Sequence, residues 1–163
     1  MLFDTHAHYD DPRFDEDRDA LLASLPAGGV TLVVNAGSSE ASSALALEIA
    51  DRYPFVYATV GVHPHDAKEM DEGSVARLED MLRHPKAVAV GEIGLDYHYD
   101  NSPRDVQKQR FYDQLALAQS VKKPVVIHER DATADTLDIV RAFPDVTGVF
   151  HCFSGSWETA KWL

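Results

Sequence analysis

The stretch AVAVGEIGLD, residues 87–96, is a nearly continuous apolar run that contains the carboxylate of Glu92. Strands of a parallel sheet that are covered on both faces have this composition. Five further short runs are similar and rich in β-branched residues: MLFDTHAH (1–8), LVVNAG (32–37), FVYATVGVH (55–63), PVVIHER (124–130) and VTGVFHCFSG (146–155). The sequence therefore predicts six strands, most of them buried on both faces.

Helical patterns separate these runs. Apolar residues recur three or four positions apart in SSEASSALALEIADRY (38–53), VARLEDMLRH (75–84) and RFYDQLALAQSV (110–121). Ser102 followed by Pro103 predicts the start of a helix, with Ser102 as the N-cap and Pro103 as the first helical residue. Alternating strands and helices indicate an α/β protein with a parallel sheet, either an open doubly wound sheet or a (β/α)₈ barrel. No G-x-G-x-x-G follows the first run, which removes the usual nucleotide-binding reason to choose the open sheet.

Length and composition are those of one globular domain, which we expect to span residues 1–163. The net charge of −12 argues against an extended nucleic-acid-binding surface, but not against a small site that handles one or a few phosphates. The single cysteine, Cys152, excludes an internal disulfide and fits a reducing compartment. No signal sequence or membrane-length apolar run is visible, so we expect a cytoplasmic protein without a membrane partner.

Polar side chains follow the predicted strands at their carboxyl ends. They are His6, His8, Asn35, His63, Glu92, His128 and His151. In a barrel these ends converge on one mouth, where barrel enzymes hold their active sites. Imidazoles favour zinc, manganese or cobalt over magnesium, and a central carboxylate can bridge two ions. The pattern therefore predicts a metal-dependent hydrolase.

The motifs DTHAH, GVHPHDA, VGEIGLDYHY, VVIHERDA and FHCFSG resemble, in order and spacing, those of the TatD family of metal-dependent deoxyribonucleases. This resemblance implies an amidohydrolase-type (β/α)₈ TIM barrel, of which the chain would contain about six of eight strand–helix units. It also implies exonucleolytic hydrolysis of phosphodiester bonds in DNA by a metal-activated water. We therefore expect a single TatD-like domain that is incomplete at its C-terminus.

The resemblance also implies a role for each motif residue. His6 and His8 would bind one divalent ion, His128 and His151 a second, and Glu92 would bridge the two. The family commonly uses Mg²⁺, whereas the imidazoles favour Zn²⁺ or Mn²⁺. His63 would contact the substrate and Arg130 would clamp a phosphate, unless Arg130 pairs with Asp131 or Asp135.

Asp96 and Tyr97 are assigned to loop packing, with base stacking by Tyr97 as the alternative. Trp157 and Trp162 are expected in the core or an interface.

Two other functions stay open at this stage. The same metal site in a barrel could hydrolyse amide, ester or lactone bonds. Alternatively, the chain is a catalytically weak structural fragment, because the family's later Thr-Asp-x-Pro motif does not occur in these 163 residues. A sheet of six parallel strands would have two open edges, and we expect the chain to self-associate through them.

Overall fold

The structure is a computed structural model that describes residues 1–161. Six strands form one parallel sheet in chain order. They are β1 (Leu2–Ala7), β2 (Val30–Ala36), β3 (Val56–Val60), β4 (Ala87–Asp96), β5 (Val125–Arg130) and β6 (Gly148–Phe150). All six correspond to the runs identified in the sequence, so the predicted parallel sheet is confirmed.

A helix follows each of the six strands. They are α1 (Arg18–Ser24), α2 (Glu40–Arg52), α3 (Ser74–Met81), α4 (Arg104–Val121), α5 (Thr133–Val140) and α6 (Trp157–Ala160), with 3₁₀ helices at Pro12–Phe14 and Pro64–Glu69. The strand order contains no reversal, whereas a doubly wound sheet reverses at its switch point. The topology is therefore that of a partial (β/α) barrel. No helix in residues 1–161 is long and apolar enough to cross a bilayer.

The hydrophobic core lies between the sheet and the helices. Ile93 and Leu95 of β4 and Phe111 and Leu115 of α4 are buried within it. Burying an aliphatic or aromatic side chain of this size stabilises the fold by roughly 1.5–3 kcal/mol. The core thus fixes β4, the strand that carries Glu92, against the longest helix of the described chain.

One local expectation was wrong, and a second was wrong in part. Helix α4 begins at Arg104 with Pro103 as its N-cap residue, because Ser102 instead donates its hydroxyl to the His65 carbonyl at 2.8 Å. Trp157 is 71% exposed and does not belong to the core, so its expected place in an interface stays a prediction. Trp162 lies outside the described residues. At the sheet edges, Phe3 of β1 and Val149 of β6 are exposed. Self-association through these edges stays a prediction.

Candidate metal centre

Glu92 lies inside β4, four residues before its end, and not at the strand end that the sequence suggested. The β4–β5 register shifts between Val90 and Ile93, so this segment departs from a regular ladder. The backbone N–H of Glu92 donates to the Gly37 carbonyl at 2.6 Å instead. The irregular pairing brings the carboxylate to the site from within a buried strand.

Gly94 allows β4 to approach β5 closely beside the site. It pairs with His128 and has a φ of +142°, a backbone conformation that L side chains rarely adopt. A Cβ at this position would also collide with the His128 carbonyl. Glycine is therefore needed both for the backbone conformation and for the approach of the two strands.

The two carboxylate oxygens of Glu92 face different histidines. Oε2 lies 3.2 Å from Nε2 of His6 and 3.6 Å from Nε2 of His8. Oε1 lies 3.1 Å from Nδ1 of His128 and 3.9 Å from Nε2 of His63. Glu92 is only 3% exposed, so one buried carboxylate stands between two pairs of imidazoles.

Two groups of side chains have ligand atoms close enough to hold a cation. His6, His8 and Glu92 form one group and His63, Glu92 and His128 the other, with the atoms of each group within 4.8 Å of one another. Imidazole nitrogen and carboxylate oxygen are the ligands that zinc and manganese accept. The donor set therefore fits divalent metal ions, with Glu92 common to both groups.

Hydrogen bonds at the far side of each ring determine which nitrogen can bind a metal. Nδ1 of His8 lies 2.9 Å from the Ala36 carbonyl, which only accepts, so Nδ1 carries a proton and Nε2 is left with a lone pair. Nδ1 of His63 accepts from the backbone N–H of His65 at 3.2 Å, so a neutral His63 carries its proton on Nε2. His8 therefore presents a ligand atom toward Glu92, whereas His63 presents a donor.

His151 lies directly after β6, with its ring stacked on His6. The ring centroids are 3.6 Å apart and the planes differ by 9°. His151 belongs to neither group of close ligand atoms, so the structure brings His63, rather than His151, next to Glu92 and His128. The ligand role of His151 stays a prediction.

Asp96 is a site residue that the sequence reasoning assigned to loop packing. It is fully buried, and its Oδ2 lies 2.9 Å from Nε2 of His128 and 3.1 Å from Nε2 of His65. Its Oδ1 accepts the backbone N–H groups of His98 and Tyr99. A carboxylate four residues after Glu92 in the same strand was the available signal.

Charge and burial set the protonation states of the metal-free site. Burial opposes ionisation of Glu92, but hydrogen bonds with His128 and His6 outweigh it and lower the pKa. Burial lowers the pKa of His63 to about 3. Burial also disfavours the charged form of His128, but hydrogen bonds with Glu92 and Asp96 prevail and raise its pKa. At neutral pH Glu92 is therefore ionised and His63 is neutral.

Arg130 is exposed at the end of β5, and its guanidinium lies over the ring of Tyr99, 4.9 Å from the centroid. The two proposed salt-bridge partners are engaged elsewhere. Asp131 pairs with His98 at 3.2 Å, and Asp135 accepts the Tyr97 hydroxyl at 2.6 Å. The alternative of a surface salt bridge for Arg130 is therefore wrong.

A cleft of about 660 Å³ opens onto Glu92. Its wall is formed by helix α2 and the loops that follow β1, β2, β3 and β4, including His8, Asp10, Ser42, His63, His65 and Asn101. Asp10 is held by Asn35 Nδ2 at 2.8 Å and by the Ser42 hydroxyl at 2.5 Å. Asn35, which the sequence placed at the strand ends, thus supports the cleft wall through Asp10.

Comparison with known proteins gives a consistent result. A model of the family described as TatD related DNase matches residues 3–163. The uncharacterized metal-dependent hydrolase YabD of Bacillus subtilis is 42% identical over 163 residues, which cover 99% of this chain and 64% of that protein. The 3′-5′ ssDNA/RNA exonuclease TatD of Cronobacter turicensis is 37% identical over 98% of this chain and 62% of its own length. The chain thus spans just under two thirds of these relatives.

Solved structures confirm the barrel-type fold. YjjV, a TatD homologue from Escherichia coli, superposes with a TM-score of 0.90 at 33% identity, covering 99% of this chain and 63% of that one. The phosphotriesterase homology protein of Escherichia coli shares the fold alone, with a TM-score of 0.62 at 15% identity. On the family match over almost its whole length, this chain belongs to the TatD-related DNase family.

Proposed function

We propose that this chain carries the metal centre of a hydrolase that cleaves phosphodiester bonds in DNA, as an exonuclease. The observation that carries the proposal is the position of Glu92, with each carboxylate oxygen facing a different histidine pair. That arrangement suits a carboxylate that bridges two cations. The relative from Cronobacter turicensis, a 3′-5′ ssDNA/RNA exonuclease, supports the same reaction class.

Two divalent ions fit the donor set, and zinc and manganese match its imidazoles best. His6 and His8 would hold the first ion together with Oε2 of Glu92. His128 would hold the second through Nδ1, because Asp96 occupies its Nε2. We assign His151 to the second ion as well, on the resemblance alone. Bound ions would supply positive charge to the phosphate and lower the pKa of a water molecule.

His63 is assigned to substrate contact in this proposal. Its Nδ1 is used by the backbone of His65, which leaves the proton on Nε2 at 3.9 Å from Glu92 Oε1. With a pKa lowered to about 3 by burial, the ring stays neutral at physiological pH. His63 therefore donates a hydrogen bond to a phosphate oxygen and does not serve as a cationic acid. Arg130 provides a guanidinium for a neighbouring phosphate.

The activity test uses protein stripped of metal and then loaded separately with Zn²⁺, Mn²⁺ or Mg²⁺. A 5′-labelled oligodeoxynucleotide is expected to shorten from its 3′ end with at least one ion. Glu92→Gln should lower the rate by at least about a hundredfold, since the carboxylate holds both ions. Glu79→Gln, an exposed change on α3, serves as the control. Equal turnover by Glu92→Gln, or hydrolysis of a chromogenic carboxylic ester but not of DNA, contradicts the proposal.

A cytoplasmic location belongs to the same proposal. Cys152 is a free and exposed thiol, which suits a reducing compartment. Fractionation of cells that express the tagged protein tests this assignment. Detection in the membrane or periplasmic fraction instead of the cytosol contradicts it.

A further inference from the structure

Tyr99 is an exposed aromatic side chain at the rim of the metal centre. It is 55% exposed, yet its backbone N–H donates to buried Asp96 at 2.8 Å. Its ring meets the ring of His65 edge to face, with the centroids 5.4 Å apart, and His65 in turn lies 4.4 Å from His63. A continuous series of rings thus runs from Glu92 to the surface, and Tyr99 is its anchored outer member.

Arg130 lies over Tyr99 without a carboxylate partner within 4.0 Å in residues 1–161. Most other arginines of this acidic chain are paired, as Arg104 is with Asp100 at 2.6 Å. A guanidinium that lies over an aromatic ring still has N–H groups that can bind an anion. Lys68 adds a second cation, because its Nζ donates to the Asn101 carbonyl of the same loop at 3.0 Å.

The carboxylate of Asp100, in the same loop as Tyr99, is paired with the guanidinium of Arg104 at 2.6 Å, which reduces its repulsion of an anion. The lining of the cleft carries Asp10 and Asp66, which repel phosphate. An anionic chain is therefore held better at the guanidinium of Arg130 than against these carboxylates.

We propose that Tyr99 and Arg130 form a nucleotide subsite in which an unpaired base stacks on Tyr99 and the adjoining phosphate binds Arg130. This inference rests on the proposed function and specifies how the site holds a single strand. A duplex is excluded from such a subsite, since its bases are already stacked on one another. Tyr97 does not serve this role, because its hydroxyl is bonded to Asp135 and its partly buried side chain packs against the hydrophobic core.

The test measures binding without metal, by fluorescence anisotropy in EDTA, with two probes. One is a fluorescein-labelled oligothymidylate, and the other is the same oligonucleotide with abasic sites. Tyr99→Ala should weaken oligothymidylate binding on the order of tenfold, and Tyr99→Phe should restore it. Binding of the abasic probe should not change in either variant. Tyr112→Ala removes a comparably exposed tyrosine from α4 and should change neither probe.

Arg130→Gln tests the phosphate half of the subsite. It should lower the affinity for both probes and reduce the slope of binding against salt concentration by about one released counterion. Thermal unfolding checks that each variant is folded. The subsite is overturned if Tyr99→Ala binds oligothymidylate as tightly as the parent does. It is also overturned if Tyr99→Ala loses the same affinity for both probes. Cleavage of DNA by the metal-loaded parent is measured separately, so the subsite can fail while the proposed function stands.

Discussion

Oδ2 of Asp96 lies 2.9 Å from Nε2 of His128, on the side of the ring that faces away from Glu92. A carboxylate in this position keeps a proton on Nε2 and leaves Nδ1 to face the metal site. Nδ1 is the atom 3.1 Å from Glu92 Oε1. Asp96 is therefore a positioning residue that determines how His128 binds a metal, although it is not itself a member of either ligand group.

Replacing the carboxylate of Asp96 tests this relationship. Asp96→Asn keeps the side-chain volume but removes the charge that orients His128, so affinity for Zn²⁺ should fall by about 10–100-fold. Isothermal titration calorimetry measures the affinity directly. Asp113→Asn, a change on α4 beside Arg110, is the matched control and should bind as the parent does. Unaltered affinity in Asp96→Asn would remove the positioning role.

The raised pKa of His128 predicts a pH-dependent stability of the metal-free protein. Imidazolium at this position is stabilised by Glu92 and Asp96 against the opposing effect of burial. The stabilisation is complete below the unfolded-state pKa of about 6.5 and is lost as the pH rises through the higher folded-state value. Thermal unfolding in EDTA should show this decline, and His128→Asn should abolish it. The assignment is contradicted if the stability of the parent rises with pH over the same interval while that of His128→Asn does not.

Metal binding should show the complementary behaviour. A cation at Nδ1 of His128 must displace a proton, so affinity for Zn²⁺ should increase with pH and binding should release protons below the raised pKa. Calorimetry in two buffers of different ionisation enthalpy counts the released protons. Binding without proton release near pH 6.5 would show that His128 is not a ligand.

Gly94 offers a test of the β4–β5 geometry. Gly94→Ala places a Cβ against the His128 carbonyl at a φ of +142°, and should destabilise the fold by at least about 1–3 kcal/mol while weakening metal binding. Gly28→Ala is the control, because its Cβ would lie an ordinary 3.4 Å from the nearest atom. Urea unfolding measures both variants, and equal effects would refute the special requirement at Gly94.

Two neighbouring aromatic residues on α4 test the placement of the core. Phe111 is 1% exposed and Tyr112 is 47% exposed. Phe111→Ala should therefore reduce the free energy of unfolding by about 3–5 kcal/mol, and Tyr112→Ala by about 1 kcal/mol or less. Chemical denaturation gives both values. The reverse order would place the other face of α4 against the sheet.

The six strands could be predicted because buried parallel strands are uniformly apolar and their order follows the chain. The meeting of His6 and His128 follows from the same argument, since parallel strands share one carboxyl edge. The position of Glu92 inside β4 could not be predicted, because it depends on a register shift that arises only when β5 is paired.

The contacts of Asp96, Ser102 and Tyr99 also escaped the sequence analysis. Each depends on loops that are distant in the chain. Asp96 contacts His65 and His128, and the hydroxyl of Ser102 donates a hydrogen bond to the loop after β3. Local patterns predict a cap or a loop at these positions, whereas tertiary contacts decide the partner. The same reason explains why Tyr99, rather than Tyr97, is the exposed aromatic beside the site.

The central claim is that Glu92 joins two cations, each held by histidines from a different part of the chain. Anomalous diffraction from crystals grown with Zn²⁺ or Mn²⁺ tests it most directly. The account predicts two ions about 3.5–4 Å apart, with one oxygen of Glu92 on each, His6 and His8 on the first, and Nδ1 of His128 on the second. A single ion, or ions that Glu92 does not touch, would contradict the account.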